Sequence, residues 1–186
     1  RRQRQICIRD STNYPTAELF INGKSYGKQS KNNSSLKNRY RLMWMDAVYE
    51  PGEVKVVAYN KEGKAVAEKV VRTAGKPHHI ELVSNRNELT ADGKDLAYVT
   101  VKVVDKDGNL CPTDNRQINF SAKGTGKYRA AANGDPTNLE QFHLPKMHAF
   151  NGMLTAIIQA GETAGEIVFT AKANGVKAGN IRIQTK

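Results

Sequence analysis

Cysteine is scarce in this chain: Cys7 and Cys111 are the two thiols in 186 residues, and they fall in different halves. A small fold stapled by disulfides needs more of them, and within one unit. Both are expected as buried or half-buried free thiols, so the fold must hold by core packing. Long apolar runs are missing too. No stretch approaches the roughly 20 residues of a membrane-spanning helix, and no membrane span is expected. No long amphipathic helix stands out either. The opening residues, RRQRQICIRD, carry charge but lack the apolar centre of a secretory leader. They read as the middle of a strand, as though the chain were part of a larger polypeptide.

Negative charge is the minority. Lys and Arg number 29 against 18 Asp and Glu, a net charge of +11. Residues 1–75 carry +8 of this and residues 76–186 carry +3. The excess gathers at Arg1, Arg2, Arg4 and Arg9 and between Lys24 and Arg41. Its neighbours are Ser, Asn and Gln rather than aromatic rings. A single-strand nucleic-acid site interleaves cations with stacking platforms. This pattern instead reads as a solvated basic face, and no nucleic-acid partner is expected.

What is present is a series of short strand signals. AELFI (residues 17–21) runs into Asn22-Gly23, a strong hairpin signal because both turn positions take positive φ. YRLMWM (40–45) alternates, with Tyr40, Leu42 and Trp44 on one face. Trp44 is expected in the core, a surface sugar-stacking role being the alternative. EVKVVAYN (53–60) and KAVAEKVVR (64–72) form a hairpin. Then Thr73-Ala74-Gly75-Lys76-Pro77 breaks the pattern, since Pro77 cannot donate to a ladder. Beyond it, LAYVTVKVV (96–104), residues 117–122, AFNGMLTAIIQ (149–159) and a hairpin about Asn174-Gly175 continue the style. Many short strands with Gly and Asn turns argue for sandwiches, which need roughly 100 residues each. The expected fold is all-β: two tandem immunoglobulin-like β-sandwich domains, residues 1–75 and 76–186.

Candidate chemistry is thin. Asp105-x-Asp107-Gly108-Asn109 only faintly resembles a calcium loop, because Gly108 is out of register and the distal Glu is missing. A hairpin turn is expected there. His78-His79 is discounted as a metal pair, because neighbours on a strand point to opposite faces. His143 and His148, with Asp135 and Glu140 nearby, lack zinc-like spacing. No Gly-x-Ser-x-Gly elbow or phosphate-cradling Gly loop occurs. Paired carboxylates for glycoside cleavage must converge about 5–9 Å apart across a cleft. Here Asp and Glu sit mostly at turns and on exposed strand faces, so no catalytic, metal or cofactor residue is assigned. The longest irregular stretch, residues 133–148 and the turn after it, holds Asn133, Asp135, Phe142, Phe150 and Asn151. Loops this long are often functional. It is read either as a packed loop capping a sandwich end or as a ligand or domain-packing loop.

The order of these segments resembles a known family. AELFINGKSYGK, YRLMW and YEPGEVKVVAYNKEGKAVAEKVVRTAGKP resemble the module after the catalytic barrel in bacterial family 2 glycoside hydrolases of the β-galactosidase type. LTADGKDLAYVTVKVVDKDGN, NGDPT and AFNGMLTAIIQA resemble their final immunoglobulin-like, invasin-like domain. The departures are Tyr26 where Leu is common, Asp46-Ala47 before the YEPG turn, and the polar residues 29–39. The resemblance implies a parent glycosidase whose two catalytic glutamates lie in a barrel outside this chain. It implies a periplasmic or cell-surface location. It makes the other domains of the parent the expected partners, with carbohydrate or a second subunit as further ones. A carbohydrate-binding module using Tyr14, Phe142 or Phe150, and a cell-surface adhesin repeat, are the competing readings.

Overall fold

The computed structural model describes residues 5–36 and 38–186. Arg1, Arg2 and Arg4 of the basic segment lie outside the described residues. Every regular element among the described residues is a strand, and no helix is long and apolar enough to cross a membrane. The chain divides into two compact units, Arg1–Thr73 and Ala74–Lys186.

The first unit holds β1 (Gln5–Asp10), β2 (Thr16–Ile21), β3 (Lys24–Ser30), β4 (Leu42–Val48), β5 (Glu53–Tyr59) and β6 (Ala65–Arg72). One antiparallel sheet runs β3-β2-β5-β6, and β1 pairs with β4 in a second. Asn22 and Gly23 both take positive φ, 49° and 80°, so the β2–β3 hairpin turns where the Asn-Gly pair requires it. Alternation along β2 sends Ala17, Leu19 and Ile21 into the core. Trp44 joins them at 3% exposure, and its indole N–H donates to the Gly27 carbonyl at 2.9 Å. It is a core residue, with no face left for a sugar.

Two expectations change here. Tyr40 precedes β4 and is exposed, so the inward row starts at Leu42. The register also slips: Ile8 faces Trp44 while Ile6 faces Ala47, which sets Met45 and Asp46 against Cys7 alone. That bulge lets Trp44 and Ala47 both reach the core, although strict alternation would separate them. Cys7 turns away from the core and is exposed, against the expectation of two covered thiols. Cys111 is buried.

The second unit holds β7 (His79–Ser84), β8 (Glu88–Leu89), β9 (Leu96–Val104), β10 (Gln117–Gly124), β11 (Gly126–Ala132), β12 (Lys146–His148), β13 (Met153–Ala160), β14 (Gly165–Lys172) and β15 (Gly179–Thr185). Its sheets run β12-β10-β14-β15-β8 and β11-β13-β9-β7. Between them Val99, Val101, Ile118, Ile158, Ile167 and Phe169 are fully buried. Residues 124–126 form a corner where the chain changes sheets, from β10 to β11. Gly124 sits at φ 96°, and a Cβ there would stand 1.9 Å from the Glu166 carbonyl oxygen, so no side chain fits. With one sheet of five strands and one of four, this unit is an all-β sandwich of the expected type.

Candidate functional site

The stretch after β11 builds its own polar spine. The Asn133 amide donates to the His148 carbonyl at 3.0 Å. The Asn133 side-chain oxygen accepts from the Asp135 N–H and from the Asn138 amide. Asp135 in turn accepts from the N–H and hydroxyl of Thr137, and Asn138 from the Glu140 N–H. Glu140 then reaches back to His148, accepting its N–H at 3.1 Å and sitting 3.0 Å from its Nδ1. Short Asn and Asp side chains bond readily to backbone two residues on, which is why this sequence closes on itself instead of pairing as a strand. The loop is tied to the sandwich through Phe142, whose carbonyl accepts from the Ala131 N–H and the Tyr128 hydroxyl. Tyr128 also donates to the Leu144 carbonyl at 2.7 Å. Its ring stacks on Phe120 at the edge of the core, and burial pushes its hydroxyl pKa up to about 12.

This anchoring leaves two apolar side chains in the open. Leu139 is 96% exposed and the Phe142 ring 55%. Asn133 and Asp135 are internal to the spine. Phe150 and Asn151 belong elsewhere, to the turn between β12 and β13. Phe150 and Met153 exchange backbone hydrogen bonds around Asn151-Gly152, both at positive φ, 52° and 77°. A Cβ on Gly152 would lie 2.3 Å from the Cys111 carbonyl oxygen, so the turn is pressed against its neighbour. Asn151 is fixed by the Asn115 side chain, and Phe150 is half-buried. No ring contact joins Phe142 to Phe150 among the described residues. The five residues therefore form two separate features, and Tyr14, which belongs to the first unit, is exposed.

The carboxyls with displaced titration all lie below their ordinary range. Ser25 holds Glu18 down, the Lys94 N–H holds Asp92, the Thr90 N–H holds Asp95, and the Arg116 guanidinium holds Asp114. A general acid for glycosidic oxygen needs the opposite shift. Asp105 is the strongest case. It is buried, and its carboxylate accepts from the Gly75 N–H at 2.8 Å, the Asp107 and Asn109 N–H groups and the Asn109 amide. These donors, that of Gly75 first, hold its pKa far below the carboxylate range. The turn-like spacing of residues 105–109 was legible in the sequence. The carboxylate's reach to Gly75, 30 positions earlier, was not.

Among the described residues no three His, Cys, Asp or Glu side chains gather where they could hold a metal ion. His78 and His79 do meet, with Nδ1 atoms 3.0 Å apart and rings edge to face. His78 precedes β7, so the opposite-face rule of a strand does not apply to it.

The sequence pattern of the glycoside hydrolase family 2 C-terminal domain 5 matches residues 80–182. The chain belongs to this family. Residues 4–67 match a second family, described as a domain of unknown function (DUF4982). A β-galactosidase of Bacteroides ovatus is 41% identical over 91% of this chain and 19% of its own length. A β-galactosidase of Thermoanaerobacter pseudethanolicus is 30% identical over 94% of this chain and 23% of its own. The crystal structure of a glycosyl hydrolase family 2 member from Bacteroides cellulosilyticus superposes with a TM-score of 0.85. It shares 32% identity and covers 97% of this chain and 23% of its own. The chain thus spans about a fifth of the length of the curated relatives it matches. It corresponds to a C-terminal accessory portion of family 2 glycoside hydrolases.

Proposed function

We propose that this chain is a non-catalytic pair of modules of a β-galactosidase-like family 2 glycosidase, and that it serves the structure and domain packing of that enzyme. One observation carries the reading. More than nine-tenths of this chain aligns with relatives that are named as β-galactosidases, yet it accounts for only 19% and 23% of their length. The carboxyls described above support it, because they are committed to turns, to ion pairs and, for Glu18, to the hydroxyls of Ser25 and Tyr59. The catalytic acid and nucleophile belong to the remaining part of the parent, which acts outside the cytoplasm, in the periplasm or at the cell surface.

Two assays test this. Turnover of nitrophenyl β-glycosides by this chain above background would refute the non-catalytic reading. Removing residues 1–186 from the parent should lower its melting temperature or change its assembly. Unchanged stability, assembly and activity would refute the structural role. A carbohydrate-binding role is the second reading, supported by the Phe142 ring held open on a hydrogen-bonded loop. An exposed ring of this kind can stack on a sugar face. Retardation of the chain in a polysaccharide gel that Phe142→Ala abolishes would favour it.

A further inference from the structure

We infer that Asn174 is a site of spontaneous covalent modification. It converts to aspartate and isoaspartate through a succinimide formed with Gly175, and Arg116 promotes the step. This chemistry lies beyond the structural role proposed above and does not depend on it.

The sequence holds four Asn-Gly pairs, beginning at Asn22, Asn133, Asn151 and Asn174. Each is chemically competent, because a glycine leaves its backbone nitrogen open to approach. The folded chain restrains three of them. The Asn22 carboxamide is held at both ends, donating to the Pro51 carbonyl at 3.2 Å and accepting from the Glu53 N–H at 2.8 Å. That of Asn133 is held by the His148 carbonyl, the Asp135 N–H and the Asn138 amide. At Asn151 the attacking nitrogen is committed instead, since the Gly152 N–H donates to the Asp114 carbonyl at 2.8 Å. Exposure alone does not rank the pairs, because Asn22 and Asn151 are exposed as Asn174 is.

Asn174 and Gly175 lie in the turn between β14 and β15, and both are exposed. Among the described residues, neither the Asn174 carboxamide nor the Gly175 N–H has a hydrogen-bond partner. The hydrogen bond at this turn falls on the Asn174 backbone carbonyl, where Arg116 Nη1 donates at 2.6 Å. Asp114 locks the same guanidinium through its Nε and Nη2. That carbonyl oxygen takes up negative charge when the Gly175 nitrogen loses its proton. A guanidinium stays charged at any working pH, so it stabilises the nucleophilic form of this amide. Among the described residues no side chain donates to the backbone carbonyl of Asn22, Asn133 or Asn151.

The Gly175 nitrogen, its proton passed to water, attacks the Asn174 Cγ. The Cγ–Nδ2 bond then breaks, and ammonia leaves with a proton taken from water. Water opens the resulting cyclic imide. Opening at Cγ gives aspartate, and opening at the backbone carbonyl gives isoaspartate, whose main chain runs through the former side chain. Water is the only co-reactant, and nothing is oxidised or reduced. Either product adds a carboxylate to the turn that Arg116 holds.

The test ages the full parent enzyme at mildly alkaline pH and reads each Asn-Gly pair by peptide mass and isoaspartate content. Position 174 should convert at least about tenfold faster than positions 22, 133 and 151, where attack must await local opening. Arg116→Gln should slow conversion at 174 several-fold and leave the other three unchanged, with Cys111 protection showing that the unit stays folded. Should that variant open the unit, Arg116→Lys replaces it. Lysine lacks the fork that spans Asp114 and the Asn174 carbonyl, so conversion at 174 should slow there too. Equal conversion at all four positions overturns the proposal, as does faster conversion at any of the other three. An unchanged rate at 174 in a folded Arg116 variant overturns the role given to Arg116.

Discussion

Leu19→Ala should destabilise the first unit while leaving the stability of the second unchanged, and the chain carries a separate reporter for each. Leu19 is fully buried among Ala17, Ile21, Leu42, Trp44, Ala47 and Ala58. Truncating a buried Leu costs about 2–5 kcal/mol, depending on how far the site collapses. The first unit spans Arg1–Thr73, and domains of that size hold about 4–10 kcal/mol in all. The substitution thus removes about half of the margin, a fall in melting temperature of roughly 8–40 °C. Trp44 is the only tryptophan in the chain, so its fluorescence reports the first unit alone. Cys111, buried in the second unit, reacts with a thiol reagent when that unit opens. In a urea series the Trp44 transition should move to lower denaturant while Cys111 protection stays. A Trp44 midpoint moved by less than about 0.5 kcal/mol would refute the assignment of Leu19 to a sparse core. Loss of Cys111 protection in step with Trp44 would refute two separately cooperative units.

Gly152→Ala should destabilise the second unit by at least about 1–3 kcal/mol, read by urea denaturation, because a side chain at positive φ is strained before it meets the Cys111 carbonyl. Tyr128→Phe removes the single hydroxyl donor shared between the Phe142 and Leu144 carbonyls. It should cost about 1–3 kcal/mol and speed hydrogen exchange in residues 133–148. The raised Tyr128 pKa means that the folded state prefers the neutral phenol. Its contribution is present below the ordinary tyrosine value near 10 and is lost as pH rises through about 12, so an absorbance titration should show one tyrosine ionising late. Asp105 and Asp114 have depressed values, so their contribution is present above the ordinary carboxylate value near 4 and is lost as pH falls below it. Asp105→Asn should flatten the acid limb of the second unit's stability curve, and an unchanged limb would refute its role as the main acceptor.

What the sequence discloses depends on how local the cause is. The Asn22-Gly23 turn and the inward row of β2 follow from two or three adjacent residues, and they were legible. Trp44 was legible as core for the same reason. The bulge opposite Cys7 was not, because it depends on the register between β1 and β4, which lie some 35 residues apart. β11 was missed because its GKYRAAA has no apolar alternation to announce it. It becomes a strand by pairing with β13. In the candidate loop, the Asn and Asp residues announced turns. Their closure through Glu140 and His148, and the exposure of Leu139 and Phe142, depend on where β12 returns. The sequence grouped Phe150 and Asn151 with this stretch, and the hairpin turn between β12 and β13 separates them from it.

The segment at residues 73–77 shows how far composition can mark a seam. Thr-Ala-Gly-Lys-Pro reads as a linker because it lacks strand formers and ends in Pro77. In the structure Ala74 packs against the core of the second unit. The Gly75 N–H is held by Asp105, and the Gly75 carbonyl faces the Cys111 thiol at 3.8 Å. A buried carboxylate gathering four donors gains more from each than a neutral acceptor would, and it fixes the backbone that supplies them. Residues 74 and 75 are thus ordered by the second unit, although their composition belongs to a break. Asp105 is the link between turn and seam. Its own loop, residues 105–109, closes a hairpin, and the same carboxylate secures the entry of the chain into the sandwich. Replacing it should therefore loosen Gly75 and the 105–109 turn together. Hydrogen exchange at the Gly75 and Asn109 amides in Asp105→Asn should accelerate in parallel. Acceleration at only one of them would show that the turn and the seam are held independently.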